Sequence, residues 1–148
     1  MRSINFDDGF KSFCINGDES RVIRFNPGDL NMRVRVEEAQ KRIRKWEGSL
    51  KAIELNPDGT LVVEDEEESA ELRGFEDMLR RELNYVFNAD VYDTIFSGQS
   101  PLCTVGKEKM FLFEAVLQSV TPIIEEEIEA FSSASQARVE KYTKGYRK

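Results

Sequence analysis

The clearest pattern in this chain is a stripe of apolar residues that follows the turn sequence Asn26-Pro27-Gly28-Asp29. Its members recur at alternating spacings of four and three residues, which is the period of one face of a helix. Asp29 can cap the first turn, because a short carboxylate accepts hydrogen bonds from the free backbone amides there. The pattern predicts a long first helix that ends at Asn56-Pro57-Asp58-Gly59, with Thr60–Val63 extended after it. The stripe consists of Met32, Val36, Ala39, Ile43, Trp46, Leu50 and Ile53.

A second helical stripe follows an acidic run, Glu64–Glu68. Negative charge favours a helix N-terminus, so the second helix is predicted to begin in this run and to end near Asn88-Ala89-Asp90. A short amphipathic turn at 91–96 and a polar loop at 97–101 come next. The apolar face of this helix is formed by Leu72, Phe75, Leu79, Leu83 and Val86.

The third stripe predicts a last long helix that begins between Thr104 and Lys107. Pro122 lies inside the pattern and is expected to kink or interrupt the helix, because proline removes a backbone donor and clashes with the preceding turn. Ser132–Ser135 is expected to fray it. The stripe is Met110, Phe113, Leu117, Val120, Ile124, Ile128 and Phe131.

The first 25 residues favour short strands separated by Asp8-Gly9 and Asn16-Gly17. Such pairs are hairpin signals, because type I′ turns need positive φ angles that these residues tolerate. We therefore expect strands at 4–6, 10–15 and 21–25. The fold class is predicted to be α+β, mainly α, with a small N-terminal antiparallel β meander followed by three long helices.

The predicted organisation is a single domain at 1–136. The meander occupies 1–25, the helical part occupies 29–136, and a basic C-terminal tail occupies 137–148. The longest apolar run is too short to cross a membrane, and the N-terminus has no secretory signal. The two cysteines, Cys14 and Cys103, are expected to be reduced core residues of a cytosolic protein.

The net charge of −7 disfavours nucleic-acid binding over the whole surface of the protein. The absence of histidine excludes two classes of site. Serine and cysteine nucleophiles paired with histidine are ruled out, as are histidine-ligated metals. The sequence from Glu54 to Asp65 overlaps the register of a calcium loop, but Pro57 and the terminal Asp do not fit it. The carboxylates stand mostly in exposed runs, so no catalytic, cofactor or metal residue is predicted, and we expect a non-enzymatic protein.

Basic residues are concentrated on the first helix and acidic residues on the second. Adjacent helices of opposite charge pack well against each other. The basic helix also leaves open an alternative, a nucleic-acid-binding or regulatory protein, although no aromatic platform or phosphate loop accompanies it. A calcium-dependent module or an enzyme is the third possibility.

The chain carries more apolar residues than its predicted core needs. A surplus of this kind favours a surface shared with a partner or with other copies, so a homo-oligomer is expected. The basic C-terminal end is expected to contact an acidic neighbour. The predicted partner-binding residues are Leu30, Val34, Leu112, Val116, Ile123, Arg138, Lys141 and Lys144.

The segment from Asn84 to Leu102, with Ile95-Phe96 before a polar loop, resembles the centre of tail assembly chaperones of long-tailed phages and prophages of Gram-positive bacteria. In the family pattern the sequence Ile-Phe-Gly precedes the polar loop. Here Ser97 stands between Phe96 and Gly98, which is a departure from that pattern. Four further segments are similar to segments of the same group of proteins. Three lie near the N-terminus, at Ile4–Gly9, Ile15–Asp18 and Phe25–Asp29, and the fourth is the basic end, Arg138–Lys144.

This resemblance implies a non-enzymatic chaperone of virion morphogenesis in the host cytoplasm. Such proteins coat the tape-measure protein and recruit tail-tube subunits, and they are absent from the finished particle. The implied partners are therefore a tape-measure protein and a tail-tube protein.

Overall fold

The computed structural model describes residues 1–47, 57 and 66–146 of the chain. Within these ranges a two-stranded hairpin is followed by three helices, a short two-stranded ribbon and a last long helix. About 60% of the described residues are helical. The predicted fold class, α+β and mainly α, is confirmed.

The N-terminal hairpin pairs β1 (Lys11–Ile15) with β2 (Asp18–Phe25) in antiparallel register. Asn16 and Gly17 join the strands with φ angles of 52° and 74°, the positive values that a type I′ turn requires. The alternation of side chains sends one set of residues toward the helices, since successive residues of a strand point to opposite faces. This inward set is Phe13, Ile15, Ile23 and Phe25.

The predicted strand at 4–6 is wrong, because residues 1–10 form no strand. The turn chemistry is present, with the Gly9 amide donating to Asp7 Oδ1 at 2.9 Å and Gly9 at a φ of 71°. Ile4 and Phe6 nevertheless stay exposed. A strand this short, with no other element packed on it, buries too little apolar surface to offset the conformational entropy lost when it is ordered.

The prediction that both cysteines are core residues is also wrong. Cys14 is exposed because it lies between Phe13 and Ile15, which take the inward positions of β1. Cys103 is half-buried, and both thiols are free of disulfides.

The helices α1 (Leu30–Glu47) and α2 (Glu66–Phe87) bury their predicted stripes against each other. Asp29 caps α1, because its Oδ1 accepts the Asn31 amide at 2.9 Å. Asn88 ends α2 with a φ of 52°. The predictions at Leu50 and Ile53, at the helix end, at 60–63 and for the calcium register lie outside the described residues, apart from Pro57. The buried stripe residues are Met32, Val36, Ala39, Ile43, Phe75, Leu79, Leu83 and Val86.

Opposite charges on the two helices pair as predicted. Arg42 donates to both carboxylate oxygens of the buried Glu82, at 2.7 and 2.8 Å, and its guanidinium lies 5.0 Å from the ring centroid of Tyr85. These interactions, with Glu82 foremost, raise the pKa of Arg42. Arg35 joins the start of α1 to the end of α2 by bonding Asp29 and the carbonyl of Val86.

A short helix, α3 (Tyr92–Phe96), occupies the predicted amphipathic turn. The predicted start of the last helix is wrong, since β3 (Thr104–Val105) pairs there with β4 (Met110–Phe111). Gly106 and Lys109 explain the difference, because their φ angles of 74° and 55° form a tight turn and are incompatible with a helix.

The last helix, α4 (Leu112–Tyr146), continues through Pro122. The hydroxyl of Thr121 donates to the Leu117 carbonyl at 2.8 Å beside that proline. Ser132–Ser135 and residues 137–146 also belong to this helix, so the expected fraying and the separate tail are not found there. Flanking Ala, Gln, Arg and Glu residues favour helix strongly enough to carry it through the serines.

Candidate functional site

An apolar cleft of about 450 Å³ separates the hairpin from the first half of α4. We call it the hairpin cleft. The inward side chains of β1 and β2 form one wall, and α3 supplies part of the floor. The opposite wall belongs to α4. Its main apolar lining residues are Phe13, Ile23, Ile95, Leu112, Val116 and Ile123.

The hairpin cleft holds one charged lining residue, Arg21. Its guanidinium is already engaged, because Nε donates to the Thr94 carbonyl at 3.1 Å and Nη2 donates to the Ile95 carbonyl. Ser119, Gln99 and Asn16 add neutral polar groups at the edges. The free thiol of Cys14 also lines the cleft, and most of the remaining lining side chains are apolar.

An ion pair lies at one end of the hairpin cleft. Lys11 Nζ, on β1, is 2.7 Å from Glu127 Oε1, one helical turn beyond Ile123 on α4. The hydrogen bond and the charge of Glu127 raise the pKa of Lys11 above its ordinary value. Because both side chains keep substantial access to water, the pair is an exposed strap between the two walls.

A second apolar surface runs along the C-terminal half of α4. We call it the α4 stripe, and Leu30 of α1 forms the opposite side of the open groove, of about 600 Å³, beside it. Phe131 is 48% exposed, Val139 61% and Tyr142 70%. The stripe consists of Ile128, Phe131, Ser135, Val139 and Tyr142.

The predicted partner-binding residues fall on different surfaces. Leu112, Val116 and Ile123 line the hairpin cleft, whereas Leu30 lines the groove beside the α4 stripe. Val34 is exposed on α1 and lies in the wall of neither. The three basic residues lie along the last turns of α4, where Arg138 and Lys141 are exposed and the side chain of Lys144 lies outside the described part.

Sequence reasoning missed the hairpin's share of the cleft. Phe13 and Ile23 are opposite each other in the strand register, and both side chains line the cleft on the side that faces α4. The alternation of apolar and polar residues in both strands was the signal that could have found them. It gives the inward face of a strand but does not say whether a helix closes on that face.

The segment 84–102, which carries the family resemblance, has a structural role here. Asn84 Oδ1 accepts the amides of Val91 and Tyr92, at 2.9 and 3.0 Å, and so caps α3 from the side of α2. Arg80 bonds Asp93 at 2.9 Å, which raises the pKa of the arginine, and its guanidinium lies 4.2 Å from the ring centroid of Tyr92. The segment thus positions α3 as the floor of the hairpin cleft.

Within the described ranges, no group of three or more cysteine, aspartate and glutamate residues is arranged to hold a metal ion. The helices in the same ranges include none that is both long and apolar enough to span a bilayer. Where the structure is described, every buried side-chain polar atom has a hydrogen-bond partner.

No family model, curated protein or solved structure matches this chain.

Proposed function

We propose that this protein is a non-enzymatic tail assembly chaperone of a long-tailed phage, which holds an apolar segment of a tape-measure protein in the hairpin cleft. The observation that supports this most is the cleft itself, which is apolar and open and has its single charged lining residue already bonded. The phage-tail part of the proposal comes from the resemblance of residues 84–102 and of the N-terminal and C-terminal segments.

The shape of the cleft favours an amphipathic helix as its occupant. A helix presents apolar anchors at i, i+3 or i+4, and i+7, and lays them into a groove of matching length. Val116, Val120 and Ile123 follow this spacing on the α4 wall, and Phe13 faces them from β1. Tape-measure helices that must stay soluble before assembly need such a cover for their apolar faces.

Tail-tube subunits are the second partner in this proposal. A chaperone that covers the tape-measure protein has to leave another face free to recruit the subunits. Val34 and the outer face of the hairpin, with Val22 at 46% exposure, are apolar positions outside the cleft.

The nucleic-acid alternative has weaker support. Three arginines of the basic first helix are paired with carboxylates: Arg33 with Glu37 and Glu125, Arg35 with Asp29, and Arg42 with Glu38 and Glu82. A phosphate backbone would have to compete with these partners for the same charges.

The direct test is isothermal titration calorimetry, in which overlapping fragments of the tape-measure protein encoded beside its gene are titrated into the full chain and the dissociation constant is measured. Val116→Asp should weaken binding by roughly tenfold or more, because a carboxylate in an apolar wall cannot be paired. Ser119→Phe, which fills the cleft from an exposed position, should weaken it without removing any packed side chain. Val34→Asp is the matched control and should bind as the wild type does.

Two outcomes would overturn the proposal. One is the absence of binding to every fragment by a folded wild-type chain. The other is binding that Ser119→Phe and Val116→Asp leave unchanged. Titration with duplex DNA and with RNA across salt concentrations tests the alternative, because phosphate binding weakens steeply as ionic strength rises.

A further inference from the structure

We propose that two copies of this chain associate through the C-terminal halves of their α4 helices, packed antiparallel about Ser135. This inference does not rest on the proposed function, because it uses the α4 stripe and not the hairpin cleft. It names the occupant of the open groove beside Leu30 as a second copy of α4.

The periodicity of the α4 stripe makes it a continuous surface. Ile128 and Val139 are 11 residues apart, as are Phe131 and Tyr142, and this spacing keeps them on one face of a nearly straight helix. The stripe spans about 21 Å at 1.5 Å per residue. From Phe131 onward its aromatic and aliphatic side chains are 48% to 70% exposed, so this face is not covered by the chain's own core.

The stripe is also self-complementary when it is reversed. With Ser135 at the centre, Ile128 of one copy lies level with Tyr142 of the second copy, and Phe131 lies level with Val139. Ala134 and Ser135 are small, so the two helix axes can approach closely at the crossing point, where side-chain size sets the distance.

Charge fixes the antiparallel direction. Glu125, Glu127 and Glu129 flank the start of the stripe, and Arg138 and Lys141 flank its end. At 100° per residue, Glu127, Arg138 and Lys141 lie on the same flank of the stripe. A two-fold axis places equal flanks together, which brings Glu127 of one copy to within about 3 Å, along the helix axis, of the level of Lys141 of the second copy. Lys11 of the same copy bonds Oε1 of Glu127, so Lys141 of the second copy would approach Oε2.

Parallel packing would do the opposite. It would align the acidic start of one stripe with the acidic start of the other, and like charges at close range are destabilising. The interface is short compared with that of an obligate dimer, so we expect association in the micromolar range.

Sedimentation velocity of the full chain, from about 5 to about 200 µM, is the first test, since a micromolar dimer dissociates over this range. The wild type should move toward the mass of two chains as concentration rises. Arg138→Glu/Lys141→Glu should raise the dissociation constant roughly tenfold, because it aligns acid with acid. Lys107→Glu/Lys109→Glu makes the same charge change in the exposed turn between β3 and β4, and it should associate as the wild type does.

Mixing tests the direction of packing. Glu127→Lys, made together with Lys11→Gln so that no like charge faces it within its own copy, should also associate poorly alone. An equimolar mixture with Arg138→Glu/Lys141→Glu should form a heterodimer, because the lysine introduced at position 127 of one copy then meets the glutamate introduced at position 141 of the second copy. A strictly monomeric wild type, or a mixture that stays monomeric while both variants remain helical by circular dichroism, would overturn the proposal.

Disulfide trapping gives an independent readout. In a Cys14→Ser/Cys103→Ser background, Ser135→Cys lies on the two-fold axis and should cross-link under mild oxidation. Ser133→Cys, two residues earlier and on the opposite side of the helix, should not. Equal cross-linking of both variants would contradict the packing proposed here.

Discussion

The two halves of α4 have similar apolar periodicity but different surroundings. In the half that begins at Leu112, Phe113, Leu117 and Ile124 are buried in the common core, and the Phe113 ring meets Phe75 edge-on at 6.1 Å. In the other half, Phe131, Val139 and Tyr142 remain exposed. Periodicity therefore identifies the apolar face of a helix, whereas only the surrounding elements decide whether that face is core or a surface for another chain.

The largest effect is expected from removing matched phenylalanines from the two halves. Phe113→Ala should lower the free energy of unfolding by about 3–5 kcal/mol, because it leaves a cavity in a packed core. Phe131→Ala should change the stability of the monomer by less than about 1 kcal/mol, since that ring is half exposed. Urea unfolding at a low protein concentration measures both. Equal losses would mean that the halves do not differ in packing.

An intermediate effect is expected from the contact that positions α3, which forms part of the floor of the hairpin cleft beside the first half of α4. Asn84→Ala removes the acceptor of two backbone amides and should cost about 1 kcal/mol, as for other capping residues. Gln118→Ala, exposed on α4, serves as the control and should be nearly neutral. If Asn84→Ala melts at the wild-type temperature, the cap is not important for stability.

Sequence patterns predict the elements that local periodicity determines, and they fail where the outcome depends on neighbouring elements. The stripes of α1 and α2 and the Asn16-Gly17 turn could be predicted, because local periodicity and turn chemistry agree there with the tertiary fold. The strand expected at 4–6 depended on a partner that the sequence does not supply. The apolar stripe predicts too early a start for α4, because its first member, Met110, belongs to β4 and not to the helix. The turn before β4 is visible only in the positive φ angles of Gly106 and Lys109.

The candidate site was only half predictable. Leu112, Val116 and Ile123 were found as a surplus off the main stripes, and they line the hairpin cleft. The opposite wall could not be found in the same way, because it requires knowing which face of α4 the hairpin approaches. The run of serines predicts a break before the basic end, whereas α4 continues through the serines to Tyr146.

The smallest effect concerns the strap between the cleft walls, at the boundary of the two halves. Glu127 raises the pKa of Lys11, so the folded chain holds that proton more tightly than the unfolded chain does. At neutral pH, where Glu127 is ionised, the stabilising contribution of the pair is complete, and it is lost as pH rises from 10.5 through the raised pKa. The small difference in melting temperature between the wild type and Lys11→Gln should be present at pH 8 and vanish in strongly alkaline buffer. A difference that persists there would exclude the ion pair as its cause.

Amide hydrogen exchange of the wild-type chain at two concentrations tests most directly whether the halves of α4 have different partners. A helix without tertiary cover exchanges quickly, whereas a packed helix is protected. At about 5 µM, amides in 131–146 should exchange fast, and at about 200 µM they should become protected as copies associate. Amides in 113–128 should be equally protected at both concentrations. Protection of 131–146 that does not depend on concentration would contradict the account.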